Sequence, residues 1–351
     1  MNRKKWAALT LSLLGLSIGG TVALVAAVDP FEVYHKATAF IPPISNGTQI
    51  YSNAGIAKNY AYDSVVIGSS MTENFRPSQL DRLFGGQFVK LCVNAGSSFN
   101  HKQMMDMAFA THDVRRVLYG VDVEALTYFY KTPKCEMPDY LYDDNLFNDV
   151  SYWFNKSVLL TYIPECLATL GQSDPDQLDT MYSWGDLYAY GREAVLADVS
   201  FSRDTVEQIN AEAGLSQQTK LNVEHNFLPF VEQHPDTQFI FFFPPYSAAE
   251  WATMQSKGTL EAMLALRGLC YDALSGYDNV TIYDFSARED WVLDLNNYKD
   301  TLHYGQWIND AMAECIAGGE YAVSSRETLD AATEKLRAWA NAQIEAGGWI
   351  F

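Results

Sequence analysis

Between residues 60 and 320 the chain repeats one pattern: a short apolar run, a turn residue, then a longer stretch with apolar positions at helical spacing. Ser64–Ile67 ends at Gly68, Phe88–Val93 at Asn94, and Phe239–Phe243 at Pro244-Pro245, while Val117–Val123 and Val280–Phe285 complete the set. Runs this short, without strict polar alternation, are expected of strands buried on both faces. Pro77–Leu83, Lys102–Thr111 and Ala248–Leu274 carry helical periodicity between them. Strands interleaved with helices predict an α/β domain over residues 59–322, with a mostly parallel sheet covered on both faces.

The rhythm breaks near Thr127 and resumes after Gln233. Residues 127–233 are rich in Tyr, Trp, Asp and Asn and hold no clear strand, which predicts a helical insertion. Its last part, Leu221–Gln233, reads as a return helix that Pro229 should kink or delay. The insertion's aromatic rings suit either a sugar-binding cleft or its own core. Residues 29–58 begin with Asp29-Pro30 and read as an irregular juxtamembrane segment. Residues 323–351 read as a C-terminal helix with a packing stripe of Leu329, Ala332, Leu336 and Ala340.

The start of the chain is of another kind. Trp6 to Val28 contains no charge and follows Arg3, Lys4 and Lys5. At 1.5 Å per residue that stretch reaches about 34 Å, enough for a bilayer core. Residues 1–28 are therefore expected to form a cytoplasmic basic flank and a single-pass anchor in the plasma membrane, with the main domain extracytoplasmic. A cleaved leader usually has a shorter apolar stretch of about 7–15 residues, although Ala26 and Ala27 leave cleavage open.

Apolar residues make up 48% and charged residues 19% of the chain, as expected of a folded protein. The net charge is −19 and three of the basic residues sit in the flank, so the body is more acidic still. Such a body is repelled by phosphate backbones, and nucleic acid is not an expected partner. The five cysteines lack close metal-ligand spacing, and no metal or cofactor is expected. Cys135 with Cys166, and Cys270 with Cys315, are candidate disulfides; Cys92 lies in an apolar run and is expected to be buried.

Two segments carry chemistry. In YDSVVIGSSMTENF, residues 62–75, a buried strand ends at Gly68 and hydroxyls follow where a helix should begin. Ser70 would stand at the carboxyl edge of the sheet, beside the unpaired N–H groups of a helix start, although Ser70 or Thr72 as a simple cap fits the same residues. In LNNYKDTLHYGQWINDAM, residues 295–312, Asp300 and His303 lie three apart and Tyr304 follows. A histidine can take a serine proton and return it to a leaving group, and a carboxylate on its other nitrogen orients it. Asp139, Asp143 and Asp144 offer a weaker alternative, a glycosidase with paired carboxylates.

Together the two motifs resemble the SGNH, or GDSL-like, hydrolase superfamily. Gly68-Ser69-Ser70-Met71-Thr72 matches its first block, with Ser where the family often has Asp, and Asp300-Thr301-Leu302-His303 matches its last. The resemblance implies a flavodoxin-like three-layer sandwich around five strands. It implies Ser70 as nucleophile, His303 as general base and acid, and Asp300 as its orienter. Asn94-Ala95-Gly96 resembles the block that gives a glycine N–H to the oxyanion hole, so Ser70, Gly96 and Asn94 are its candidate donors. Gly120-Val121-Asp122 falls where the family commonly has Gly-x-Asn. An ionised Asp122 would repel an oxyanion: either it faces elsewhere, or Asn94 serves instead, or the hole is incomplete. Thr72, Asp122 and Tyr304 are candidate site-edge residues.

The anchor, the run DPFEVYH and NLFNDVSYWFNKSVLL resemble a Firmicutes branch of the membrane-anchored extracytoplasmic SGNH proteins, of the D-alanyl–lipoteichoic acid transfer protein type. That resemblance implies a serine esterase or O-acyltransferase acting on acylated cell-envelope polymers or glycans, with a polytopic membrane-bound O-acyltransferase as partner. The alternative is a catalytically silent scaffold or glycan-binding protein of the same fold.

Overall fold

The structure is a computed structural model that describes residues 2–197, 199, 201 and 211–351. Part of the expected insertion, residues 202–210, lies outside the described residues. The chain divides into two compact units: Met1–Tyr60 with Met137–Gln177, and Ala61–Glu136 with Leu178–Phe351. The segment expected as one insertion is thus shared between them.

The larger unit is built on β1 (Ser64–Ile67), β2 (Phe88–Lys90), β3 (Arg116–Gly120), β4 (Gln238–Phe243) and β5 (Val280–Asp284). All neighbours pair in parallel, in the order β2-β1-β3-β4-β5. Val65 stands beside Val89 on one side and Val117 on the other, and Phe239 to Phe243 of β4 lie between β3 and β5, all buried. Helices cover both faces, as such apolar strands require. On one side α3 (Pro77–Phe84) packs with Gln306–Gly318; on the other α4 (Ser98–Thr111) joins Ala211–Asn226, Leu260–Leu274 and the terminal helix Arg326–Ala346. The fold is the flavodoxin-like three-layer sandwich the sequence predicts. Because β2 and β3 leave β1 in opposite directions, a crevice opens at the carboxyl ends of β1 and β3, the position at which open α/β sheets hold ligands.

Several boundaries differ from expectation. The helix expected over Ala248–Leu274 is two, Ala248–Ser256 and Leu260–Leu274, because Gly258 turns the chain at a φ of +72°. Pro229 acts as a stop: one helix ends at Asn226 and another, Leu228–Gln233, starts with the proline in its first turn. None of the five cysteines is disulfide-bonded, so neither expected pair forms; Cys92 and Cys270 are buried.

The smaller unit contains α1 (Arg3–Val28), one helix long and apolar enough to cross a membrane. Residues 29–58 are not irregular throughout: α2 (Gln49–Asn59) packs on the turn after α1. Gly55 allows that approach, since a Cβ there would lie 2.1 Å from the Phe31 carbonyl oxygen. Asp29 caps α1 from a left-handed conformation and is buried. Its carboxylate accepts the N–H groups of Tyr34 (2.6 Å) and His35 (3.1 Å) and the Tyr152 hydroxyl (2.9 Å). Val25 and Val28, from the last turns of α1, share a core with Phe31, Tyr152, Ile163 and Cys166.

Candidate active site

The last residue of β1 is followed by Gly68, whose φ of +152° is open only to glycine. A Cβ at Gly68 or at Gly120, the end of β3, would lie under 3 Å from the Thr72 methyl. The three residues lock together, and Thr72 is wholly buried, its hydroxyl donating to the Ser69 carbonyl (2.8 Å). Thr72 therefore shapes the turn from below. The chain then makes a short 3-10 turn, Ser70–Thr72, capped by the Ser69 hydroxyl. Ser70 is its first residue, so its N–H has no partner within the turn.

Ser70 is partly open, and its Oγ lies 2.8 Å from His303 Nε2. The other ring nitrogen, His303 Nδ1, faces both Asp300 oxygens at 2.8 and 2.9 Å. Asp300 also accepts the backbone N–H groups of Leu302 (2.9 Å) and His303 (2.8 Å), so the Asp-x-x-His spacing closes a tight local loop. Burial alone would push the Asp300 carboxyl up, but those hydrogen bonds and the imidazole charge outweigh it and bring it down to about 2. The carboxylate is ionised throughout the neutral range and holds the ring with Nε2 toward Ser70.

That loop is fixed to the rest of the domain from several sides. The buried Tyr304 hydroxyl donates to the Met71 carbonyl (3.0 Å), as does the Asn309 amide (3.0 Å), tying the histidine loop to the serine turn. Tyr304 is thus a tether between the two segments, its hydroxyl spent on the Met71 carbonyl. Ser247 donates to the Thr301 carbonyl (2.6 Å), and the Thr301 hydroxyl donates to the buried Glu250. Burial pushes the Glu250 carboxyl up.

Three neighbours lie outside the expected site residues. Trp184, from the second half of the expected insertion, stands edge-on to His303 with ring centroids 5.3 Å apart, and its indole N–H reaches the Ser70 carbonyl at 3.4 Å. Lys299 lies 3.6 Å from Asp300, with its ammonium over the rings of Trp184 (4.7 Å) and Tyr188 (3.9 Å). Tyr246 donates its hydroxyl to Asp122, and burial followed by that carboxylate keeps the phenol far above its ordinary range.

Asp122 lies just past β3 and is the acceptor of a second network. Ser69 donates to its Oδ2 (3.0 Å), Tyr246 to its Oδ1, and the Glu124 N–H closes a turn on Oδ1 (3.0 Å). Both carboxylate oxygens are thus engaged by fixed donors. On the β2 side, Val93 donates to the Gly68 carbonyl (2.9 Å), which places residues 93–96 beside the serine turn. Gly96, expected to lend its N–H to an oxyanion, donates it instead to Val93 (2.9 Å), closing a turn in which Ala95 takes a φ of +51°. Asn94 is exposed on that turn. Asp143, of the weaker carboxylate alternative, belongs to the smaller unit, where it accepts from Asn145 and Asn148 of its own turn.

No family profile and no curated protein matches the chain. Among solved structures, a Streptococcus pneumonia protein described as a candidate platelet activating factor overlays with a TM-score of 0.37 and 11% identity, over 84% of this chain and 92% of its own. An overlap that low carries no argument about chemistry.

Proposed function

We propose that the protein is a serine esterase or O-acyltransferase of the SGNH type, with Ser70 as nucleophile, His303 as general base and acid, and Asp300 as orienter. What supports this reading above all is the line Ser70 Oγ, His303 Nε2, His303 Nδ1, Asp300, in which every separation is a hydrogen bond and the two ends lie more than two hundred residues apart. A structural histidine would need neither the serine at its second nitrogen nor a partly open hydroxyl.

In the reaction, Ser70 Oγ attacks an ester or thioester carbonyl while its proton passes to His303 Nε2. The imidazolium is held by the Asp300 carboxylate. The Ser70 N–H is the oxyanion donor we assign first, with Asn94 as its candidate companion, because Gly96 is committed to Val93. Collapse of the tetrahedral adduct expels the alcohol or thiol, which takes the proton back from Nε2, and leaves an acyl ester on Ser70. Water, or the hydroxyl of a polymer or glycan, then attacks that ester with His303 again accepting the proton. As the second tetrahedral adduct collapses, His303 returns that proton to the departing Ser70 Oγ, and the acyl group leaves as the acid or the new ester. The same residues serve hydrolysis and transfer. We assign the acyl carriers and acceptors to the cell envelope, with α1 as a retained single-pass anchor, its basic end in the cytoplasm, and a polytopic membrane-bound O-acyltransferase as partner.

A second reading, a silent scaffold or glycan-binding protein, draws on one observation: a carboxylate, Asp122, stands where the resembled family commonly has an oxyanion donor. Labelling with a fluorophosphonate separates the two. The enzyme reading expects one adduct on Ser70, absent from Ser70→Ala; an adduct on another serine, or none on folded protein, sinks it.

A further inference from the structure

Within the smaller unit, residues 146–170 have two apolar faces. The inner face, through Tyr152, Val158, Ile163 and Cys166, packs on Val25 and Val28 of α1. The outer face leaves Phe147, Val150, Phe154, Leu160, Leu167 and Leu170 exposed, Phe147 at 92%. Single exposed apolar residues are ordinary, but this many within one short stretch mark a contact surface.

The last turns of α1 indicate what covers it. Leu24 is 45% exposed while its neighbour Val25 is fully buried, so one side of the helix end is taken by the unit's own core and the other stays open. The segments on the buried side pack laterally on Val25 and Val28, so the residues that make this contact lie level with the helix end itself. Taking α1 as a membrane span, a reading on which this inference rests, that depth is the interface between acyl chains and headgroups. Amphipathic segments settle there with their apolar face about 5–10 Å deep, and rings such as Phe147 and Phe154 favour it.

We infer that residues 146–170 form a collar around the outer end of α1 that seats its apolar face in the lipid interface, a second membrane contact besides the span. The same packing makes α1 part of the folded unit. Cleavage at Ala26 or Ala27 would take Val25 out of the core and cut the helix that Asp29 caps.

The test uses the full chain in bacterial membranes, with the photoreactive residue benzoylphenylalanine at Phe147, Leu160 or Leu167, and at Leu14 within α1 as reference; all four positions are exposed. After irradiation the adduct mass separates phospholipid from protein. The collar predicts phospholipid adducts at the three outer positions about tenfold above unirradiated samples, alongside adducts at Leu14. Adducts at Leu14 alone overturn the collar and keep the anchor. Protein-mass adducts at the outer positions overturn it in favour of a protein partner. No phospholipid adduct at Leu14 overturns the anchor reading itself.

Discussion

Ser69 and Ser70 are neighbours in the chain and carry the same hydroxyl, yet the fold sends them into opposite environments. Ser69 is buried and donates to Asp122, a carboxylate already held by Tyr246 and by the backbone at Glu124. Ser70 is partly open and faces His303, whose second nitrogen is held by Asp300. Each hydroxyl is backed by a carboxylate, but only one has an imidazole between. A carboxylate binds a hydroxyl proton without taking it, because their proton affinities are far apart; an imidazole operates near neutral pH and can accept it and release it. On the proposed mechanism, reactivity is set by the group between serine and acid, and by access.

The largest expected effect comes from removing each hydroxyl in turn. On the proposed mechanism Ser70→Ala should lower hydrolysis of a small chromogenic ester by about a thousandfold or more, since removal of the nucleophile would leave only binding and oxyanion stabilisation. Ser69→Ala should cost about tenfold or less, through loosening of the turn that holds Ser70. Equal losses would break the comparison, and a larger loss at Ser69 would reverse the assignment of the nucleophile.

Asp122→Asn probes the second network. Asparagine keeps an oxygen for the Tyr246 hydroxyl and presents an amide to Ser69, while the charge disappears. If the carboxylate opposes the negative charge that develops on the substrate oxygen, kcat/KM for the same ester should rise, by about tenfold. A fall of that size would show instead that the charge is needed to keep Ser69, and with it the turn, in place. Thermal unfolding of the variant distinguishes that outcome from a folding defect.

The two ends of the Ser70 line were legible in the sequence because each is local: a strand ending at Gly68 with hydroxyls behind it, and an Asp-x-x-His loop closed by its own backbone. The strands were legible for the same reason, as apolar runs that had to be covered on both faces. What the sequence did not reveal depends on contacts between distant segments. Trp184 and Lys299 meet at His303 from segments more than a hundred residues apart; no local pattern marks Trp184, and the place of Lys299 beside Asp300 does not reveal that its ammonium lies over the Trp184 ring. Tyr246 follows Pro244-Pro245, a signal of a strand end but not of where the hydroxyl points. Residues 49–59 form a helix although polar and small residues dominate them, because packing on the turn at Phe31 stabilises it more than propensity does. Gly96 suited an oxyanion donor in sequence, and only the turn closed on Val93 reveals that its N–H is already used.

The smallest expected effect concerns how the two carboxylates are held: Asp122 by two hydroxyls and one N–H, Asp300 by the imidazole and two backbone N–H groups. With its folded-state value at about 2 against an ordinary 3.8, Asp300 releases its proton more readily in the folded chain than in the unfolded one. The stabilisation it brings is therefore present in full above pH 3.8 and is lost as pH falls through about 2. Because its side chain is 44% exposed, solvent screening reduces the full linkage value by roughly half, to about 1 kcal/mol. Of this, about 0.5 kcal/mol should be gone by pH 3. Urea unfolding of the wild-type chain and of Asp300→Asn at pH 5 and pH 3 isolates the contribution, since every other titrating group is common to both proteins. The gap in stability between the two should narrow by that amount on acidification. A gap that stays constant would mean that the Asp300 carboxylate gains nothing from its N–H donors on folding, and that the histidine is oriented by the packing of Trp184 and Tyr304 alone.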